Sequence, residues 1–282
     1  MSRSSLQRFH IPAYNKNAVI QLIAFSGLGF VAVRLVWITM IVYAVPQARA
    51  FALTFEYVGI ADLPRIQERW WTIFTYAWCH RGFWEWLSNM LWLFCFGNVV
   101  QNLVGYKQII PLFLYTTIMG GLAFTLTQLF PSALLPAGSL VMGAHAGIFG
   151  IMCAALTLSP SYRIYLSDYF GVPLAGLAAL FTLLMLLSVP LTPANIAMLL
   201  TAGLTGFVYV KLLQNGYQPG AWAYTVFHRM DRKFNPSEAP YKPRRTKSAQ
   251  EEIIDRILDK INEHGYDSLS PDEKKQLREA SR

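Results

Sequence analysis

The chain alternates long apolar segments with shorter polar connections, and the apolar segments have the length that a membrane requires. A helix needs about 20 apolar residues to cross a bilayer core of about 30 Å. Charged residues, proline or glycine bound six segments of about this length: 19–45, 84–104, 108–130, 141–159, 170–189 and 194–213. The pattern therefore predicts an all-α, polytopic membrane protein with a bundle of six spanning helices.

The composition supports this prediction, because 54% of the 282 residues are hydrophobic and only 14% are charged, with a mean hydropathy of +0.33. Soluble domains carry about 25% charged residues. We therefore expect a lipid bilayer as the surroundings, and the net charge of +8 does not indicate a nucleic-acid partner. Cys79, Cys95 and Cys153 lie in apolar runs without the spacing of metal ligands or of a disulfide framework. We expect free thiols, no metal and no cofactor.

The polar segments divide the chain into four parts. An N-terminal tail of residues 1–18 precedes a membrane domain of residues 19–214, which is followed by a basic linker, 215–248, and a soluble helical hairpin, 249–282. Within the membrane domain, the long first connection, 46–83, mixes charged with aromatic side chains. This mixture is typical of a structured loop at the level of the lipid headgroups.

Two local patterns predict the helical hairpin at the end of the chain. Five aliphatic residues within 249–262 recur on one face of a helix. Ser270 followed by Pro271 is typical of the cap and first turn of a second helix. Such a hairpin either lies at the membrane surface, with the basic residues 242–247 near anionic headgroups, or docks a partner protein.

Lysine and arginine concentrate in connections that six spans would place on one side of the membrane. The connections after the third and fifth segments contain neither residue. By the positive-inside rule, we expect both termini to be cytoplasmic. The first apolar segment is too long for a signal-peptide core and should remain as a span. The residues on the predicted cytoplasmic side are Arg3, Arg8, Lys16, Lys107, Arg163 and Lys211.

A charge and several small residues interrupt the apolar segments. Arg34 lies inside the first segment, where a charge costs about 2.5–3.5 kcal/mol on insertion scales, so it should face protein, water or the interface. Small residues allow two helices to approach closely, which predicts helix packing at five positions. They are Gly143, Gly147, Gly150, Ala202 and Gly206.

Two segments resemble the signatures of rhomboid intramembrane serine proteases. Residues 74–97, FTYAWCHRGFWEWLSNMLWLFCFG, resemble the family's loop and second helix, and residues 143–150, GAHAGIFG, look like the GASGAIFG that opens the helix bearing the nucleophile. The resemblance covers about 51–213. Residues 257–270 are similar to the soluble extension of some bacterial rhomboid-family proteins, which implies a multi-pass protein of a bacterial inner membrane.

The resemblance implies that the catalytic dyad is missing. The family's nucleophile is the serine of GxSG, and His145 stands at that position, followed by Ala146. The family's base is a histidine in the sixth helix, and aligning Gly206 with that helix's glycine places Leu199 there. A serine nucleophile needs a base within hydrogen-bond reach. We therefore expect a rhomboid-like fold without the protease.

The side that would stabilise an oxyanion is also altered. The family's second helix offers His-x4-His-x3-Asn, and this chain has His80, Glu85 and Asn89 at those positions. An ionised Glu85 would repel an oxyanion. Other hydroxyls lie nearby, but each is typical of a helix-packing or capping residue. They are Ser88, Ser139 and Ser159.

Three functions remain open at this point. Rhomboid-like pseudoproteases are known as a class for binding other membrane proteins, so the resemblance implies a site for a client's transmembrane segment at His80, Glu85, Asn89 and His145. The first alternative is an active rhomboid serine endopeptidase, and the second is a structural subunit of a membrane complex that docks through its C-terminal tail. A metal site at His80, Glu85 and His145 is a weaker hypothesis, because the two histidines are fewer than the three or four ligands that zinc prefers and the sequence leaves the direction of Glu85 open.

Overall fold

The computed structural model describes residues 17–60, 63–130, 140–167 and 170–223, with Thr225 and parts of 257–280. The chain forms two compact units, Met1–Thr225 and Val226–Arg282. The predictions that concern Arg3, Arg8, Lys16, Ser139 and the basic residues 242–247 lie outside the described residues.

The first unit is built from helices, with a small two-stranded sheet. The helices are α1 (Ala18–Val42), α2 (Gln47–Glu56), α3 (Leu63–Glu68), α4 (Thr72–Thr75), α5 (Phe83–Val104), α6 (Ile109–Thr127), α7 (His145–Leu158), α8 (Leu174–Ser188) and α9 (Pro193–Gln214). Short 3₁₀ turns cover Tyr76–Trp78 and Tyr106–Gln108. The all-α membrane bundle predicted from the pattern is confirmed.

Four apolar helices among the described residues are long enough to cross a membrane: Ala18–Val42, Phe83–Val104, Tyr106–Thr127 and Pro193–Gln214. The other two apolar helices, α7 and α8, have 14 and 15 residues and therefore extend only about 21–23 Å. Both begin later than the apolar pattern predicts. Val141 instead pairs with Ile60 in a β-bridge, and the fifth segment starts with a strand.

A β-hairpin replaces the simple connection predicted between the fourth and fifth segments. Its strands, β1 (Arg163–Ser167) and β2 (Phe170–Pro173), are antiparallel and pair Ile164 with Val172. Pro160 lies just beyond the end of α7, where a helix cannot easily continue, and the β-branched and aromatic residues that follow favour a strand. Hydropathy alone does not distinguish such a strand from a helix. This explains why the fifth apolar segment was predicted to be helical from residue 170, where the structure has β2.

Small residues let α6, α7 and α9 pack backbone against backbone. A Cβ at Gly206 would overlap the carbonyl group of Gly150, and a Cβ at Gly150 would overlap Thr116 and approach the Ala202 carbonyl at 2.9 Å. Larger residues would force the helices apart. Gly150, Ala202 and Gly206 therefore lie at the contact between α7 and its two neighbours.

The long first connection, 46–83, is structured and is attached to the helix bundle by hydrogen bonds. The buried Tyr76 hydroxyl donates to the Thr117 carbonyl at 2.9 Å, and the Gly143 N–H donates to the Tyr76 carbonyl at 3.0 Å. Ile60 and Val141 exchange two backbone hydrogen bonds. These bonds hold the residues just before α5 against the start of α7.

The second unit contains α10 (Pro271–Ala280) at the position where a capped helix was predicted. Ser270 and Glu273 form a reciprocal capping box, because the Glu273 N–H donates to the Ser270 hydroxyl at 3.3 Å and the Ser270 N–H donates to the Glu273 carboxylate at 2.7 Å. Lys260 forms an ion pair with Glu273 at 3.0 Å. The apolar stripe predicted within 249–262 lies largely outside the described residues.

Candidate functional site

His145 and Glu85 both lie next to Gly143, just before the start of α7. Gly143, two residues before the helix, has a φ of +104°, which glycine adopts readily. A Cβ built on Gly143 would lie 2.7 Å from His145 Nδ1 and 3.0 Å from Glu85 Oε1. Only the missing side chain of Gly143 leaves room for the two groups to converge.

The backbone around His145 places its imidazole at a helix N-terminus. His145 is the first residue of α7, and Ala144 before it provides no side-chain cap. The first N–H groups of a helix lack intrahelical partners and carry partial positive charge. Ala146 is accommodated because Gly120 faces it: a Cβ on Gly120 would lie 2.9 Å from the Ala146 Cβ.

Arginines connect Glu85 to the first connection and to α1. The Arg81 N–H donates to Glu85 Oε2 at 3.1 Å, and the Arg81 guanidinium donates to the Leu140 carbonyl at 2.6 Å. The Arg34 guanidinium in turn donates to the Arg81 carbonyl. Arg81 therefore links Glu85 to α1 and to the segment that precedes α7.

Arg34 faces protein, which is one of the three environments expected for it. Its guanidinium lies over the rings of Phe30, Trp37 and Phe55 at 5.4, 5.5 and 5.8 Å. Aromatic faces attract a cation and reduce the cost of holding it in an apolar region. Together with the hydrogen bond to Arg81, these rings explain how a membrane helix retains a charge within its length.

His80 and Asn89 present buried polar atoms without partners in the described part of the chain. His80 is 1% exposed and Asn89 is 4% exposed. Neither ring nitrogen of His80 has a hydrogen-bond partner of normal geometry among the described residues. The same is true of Asn89 Nδ2. A neutral imidazole has one donor and one acceptor, and a buried group left unpaired costs about 1–3 kcal/mol. The site therefore retains free hydrogen-bonding capacity in its interior.

Burial keeps His80 neutral. Desolvation lowers the pKa of His80 to about 3, and the nearby His145 acts in the same direction. The Trp78 carbonyl opposes this lowering of the pKa, although no hydrogen bond of normal geometry joins it to the ring. The two histidines thus lie close enough to influence each other electrostatically, a proximity that the sequence left open.

Leu199, which was predicted to stand at the base position of α9, lines a small pocket with Met185 and Leu186 of α8. A Cβ built on Gly120 would lie 2.9 Å from the Ala146 Cβ and 3.2 Å from the Met198 carbonyl, so Met198 is a residue of α9 that lies close to the start of α7. Leu199, next in the chain, is 8% exposed and offers no proton-accepting group. Its equivalence to the family's base stays a prediction.

The alternative serines are poorly placed for catalysis. Ser159 is the C-cap of α7, 14 positions after His145 and therefore about 21 Å along the helix. Ser88 is an exposed residue of α5. Over the described ranges, no histidine exchanges a hydrogen bond with either hydroxyl.

Metal-binding geometry is also absent from the described residues, which contain no group of three or more histidine, cysteine, aspartate or glutamate side chains that could hold an ion.

The role of Arg81 was not predicted from the sequence, because an arginine in a long loop is a weak signal. The charge at Arg34 was a signal, but its partner is 47 positions away.

Comparison with known proteins identifies the fold. The family described as "Rhomboid domain" matches residues 67–215, which is more than half of the chain. The chain belongs to the rhomboid family. Its last part, residues 238–282, matches a different family, described as "Family of unknown function (DUF6576)". The predicted membership, and with it the rhomboid-like membrane bundle, is confirmed.

Two rhomboid relatives from Arabidopsis thaliana are similar to the chain. "RHOMBOID-like protein 1" is 30% identical over 178 residues, covering 59% of this chain and 42% of the relative. "RHOMBOID-like protein 6, mitochondrial" is 26% identical over 193 residues, covering 66% and 59%. The chain spans about half the length of the curated relatives it matches. Both relatives are plant proteins, so the prediction of a bacterial inner membrane receives no support from them.

Proposed function

We propose that this rhomboid-family protein is not a peptidase and that it binds a transmembrane segment of another membrane protein. The observation that supports the proposal is that His145 and Glu85 both lie next to Gly143, within the segment that resembles the family's nucleophile motif. A carboxylate beside an imidazole supplies no nucleophilic hydroxyl, and α9 supplies no base. Acyl transfer by a serine protease needs both a nucleophilic hydroxyl and a base.

The unpaired atoms of His80 and Asn89 explain why a peptide backbone would bind here. In lipid, each unsatisfied backbone group of a partially unwound helix costs several kcal/mol. His80 offers a donor and an acceptor, and Asn89 Nδ2 offers donors. A client's loosened backbone and this site would therefore satisfy each other's hydrogen bonds.

Quantitative co-purification from membranes tests this binding. The variant Asn89→Ala/His145→Ala should recover less of a membrane partner than the wild-type chain. Asn98→Ala is the matched control, because Asn98 lies on the same helix but donates to its own backbone, at Phe94, 2.8 Å away. Equal recovery with all three proteins would show that the site is vestigial.

Family membership favours the peptidase as the second candidate function. The test is cleavage of a generic rhomboid transmembrane substrate, with parallel labelling by a fluorophosphonate that tags activated serines. An active relative serves as the positive control. We expect neither cleavage nor labelling, and a labelled serine would contradict the proposal and identify the nucleophile.

The third candidate is a structural subunit that docks through its tail, of which residues 238–282 match a separate family of unknown function. Deletion of residues 226–282 separates the cases, because binding through the intramembrane site should survive it. The deletion should not begin earlier. The Trp222 indole donates to the Tyr115 hydroxyl at 2.7 Å, so this segment belongs to the first unit.

We further propose that the termini are cytoplasmic, as the distribution of Lys107, Arg163 and Lys211 indicates. In this topology the first connection and the site beneath it open to the opposite side. The protein would be a multi-pass component of a bacterial inner membrane. Labelling of single cysteines introduced into the two termini with a membrane-impermeant reagent tests the orientation.

A further inference from the structure

A groove of about 280 Å³ lies between α1 and the first connection, away from the candidate site. Ala32, Val33, Val36 and Met40 form its wall on α1, and Leu53 and Tyr57 lie opposite. Val36 and Tyr57 are each 49% exposed, so the groove is open to the surroundings of the protein. Since α1 is long and apolar enough to span a membrane, we expect the opening to face lipid.

The lining indicates a hydrocarbon occupant. Thr54 is the polar member of the wall, and its hydroxyl already donates to the Ala50 carbonyl at 2.8 Å. The remaining wall offers aliphatic side chains, a thioether and an aromatic ring, which gain nothing from a polar ligand. Surrounding acyl chains are the most abundant apolar groups available to such a groove in a bilayer.

The dimensions fit one acyl chain. From Ala32 to Met40, α1 rises about 12 Å. The hydrocarbon part of one leaflet is about 15 Å thick. The groove therefore accommodates most of the length of a chain that lies along α1 within a single leaflet.

A cation lies beside Tyr57, one of the residues that line the groove. The Arg69 guanidinium lies 3.9 Å from the centre of the Tyr57 ring, and its Nη1 donates to the Glu56 carbonyl at 3.2 Å. A guanidinium has five N–H donors, so several remain for another acceptor. Arginine in this position suits a phosphate oxygen.

We propose that this groove binds a phospholipid with an anionic headgroup, with one acyl chain against Val36 and Leu53 and the headgroup phosphate at Arg69. The inference is independent of the proposed client site. A bound lipid would fill the space between α1 and α2 and support the first connection that caps the bundle.

Native mass spectrometry of the full-length protein in detergent, titrated with phosphatidylglycerol, tests the groove. Val36→Trp and Leu53→Trp fill it from opposite walls, whereas Val31→Trp adds the same bulk at an exposed position of α1 outside it. We expect both groove variants to lose most of the bound phosphatidylglycerol while Val31→Trp retains it. Equal binding by monodisperse Val36→Trp, or by Leu53→Trp if Val36→Trp does not fold, overturns the proposal.

Headgroup selectivity tests the role of Arg69. Arg69→Gln should lower the binding of phosphatidylglycerol relative to phosphatidylcholine about fivefold, which corresponds to ~1 kcal/mol for one arginine near an anionic surface. Arg49→Gln removes an exposed arginine of α2 and should leave the ratio unchanged. Preference for phosphatidylcholine in the wild type, or an equal effect of both variants, overturns the assignment of the headgroup to Arg69.

Discussion

Glu85 and His145 both lie next to Gly143: a Cβ built on Gly143 would lie 3.0 Å from Glu85 Oε1 and 2.7 Å from His145 Nδ1. The two residues belong to different helices, 60 positions apart in the chain. Glu85 is held by the Arg81 N–H, and His145 begins α7. This relationship leads to the first two predictions.

Replacing Gly143 by alanine should destabilise the protein by about 1–3 kcal/mol, because the residue has a positive φ and its Cβ would collide with His145. The measurement is the apparent Tm in detergent, followed by circular dichroism. Gly82→Ala is the control, since Gly82 has an extended φ of −142° and open space around it. Equal shifts of Tm would contradict the explanation.

Restoring the serine alone should not restore a nucleophile. His145→Ser lacks a base on α9, so we expect no labelling by a fluorophosphonate. The double variant His145→Ser/Leu199→His should be labelled faster than His145→Ser/Leu200→His, because Leu200 is 65% exposed and faces away from the bundle. If the two double variants react alike, Leu199 is not at the base position.

Stability should fall as the pH decreases below about 6.5. Burial lowers the pKa of His80 from 6.5 to about 3, so between these values the unfolded chain binds a proton that the folded chain does not. Stability therefore increases with pH across this window, by up to about 1.4 kcal/mol per unit.

The apparent Tm measured between pH 7 and pH 5 checks this contribution, with His80→Gln as the comparison. Glutamine keeps polar atoms at the position but does not titrate. The wild-type Tm should fall more steeply than that of His80→Gln. Parallel curves would show that His80 is not the group responsible.

Loss of the Tyr76 hydroxyl should loosen the first connection. Its hydrogen bond to the Thr117 carbonyl is buried, and Tyr76→Phe leaves that carbonyl with one acceptor site unpaired, which costs about 1–2 kcal/mol. Amide exchange of residues 72–80 should become faster. Tyr43→Phe, at a position 79% exposed, is the matched control and should change neither exchange nor Tm.

The length and number of the apolar segments were enough to predict an all-α membrane bundle, and two short motifs were enough to predict the rhomboid family. Both are local properties, since the length of an apolar run and the residue at each motif position are visible without knowing what packs where. The same locality explains the errors: hydropathy does not distinguish β2 from the first turn of a helix, and it does not show that α7 begins only at His145.

The sequence by itself determined which chemical groups are present, including an arginine within the first helix and a histidine in place of serine. Only the tertiary structure decided their partners. The Arg34 guanidinium donates to the Arg81 carbonyl, and His145 and Glu85 both lie next to Gly143, because helices far apart in sequence cross where glycines let their backbones approach. Such crossings depend on the packing of the whole bundle, and no local pattern of residues encodes them.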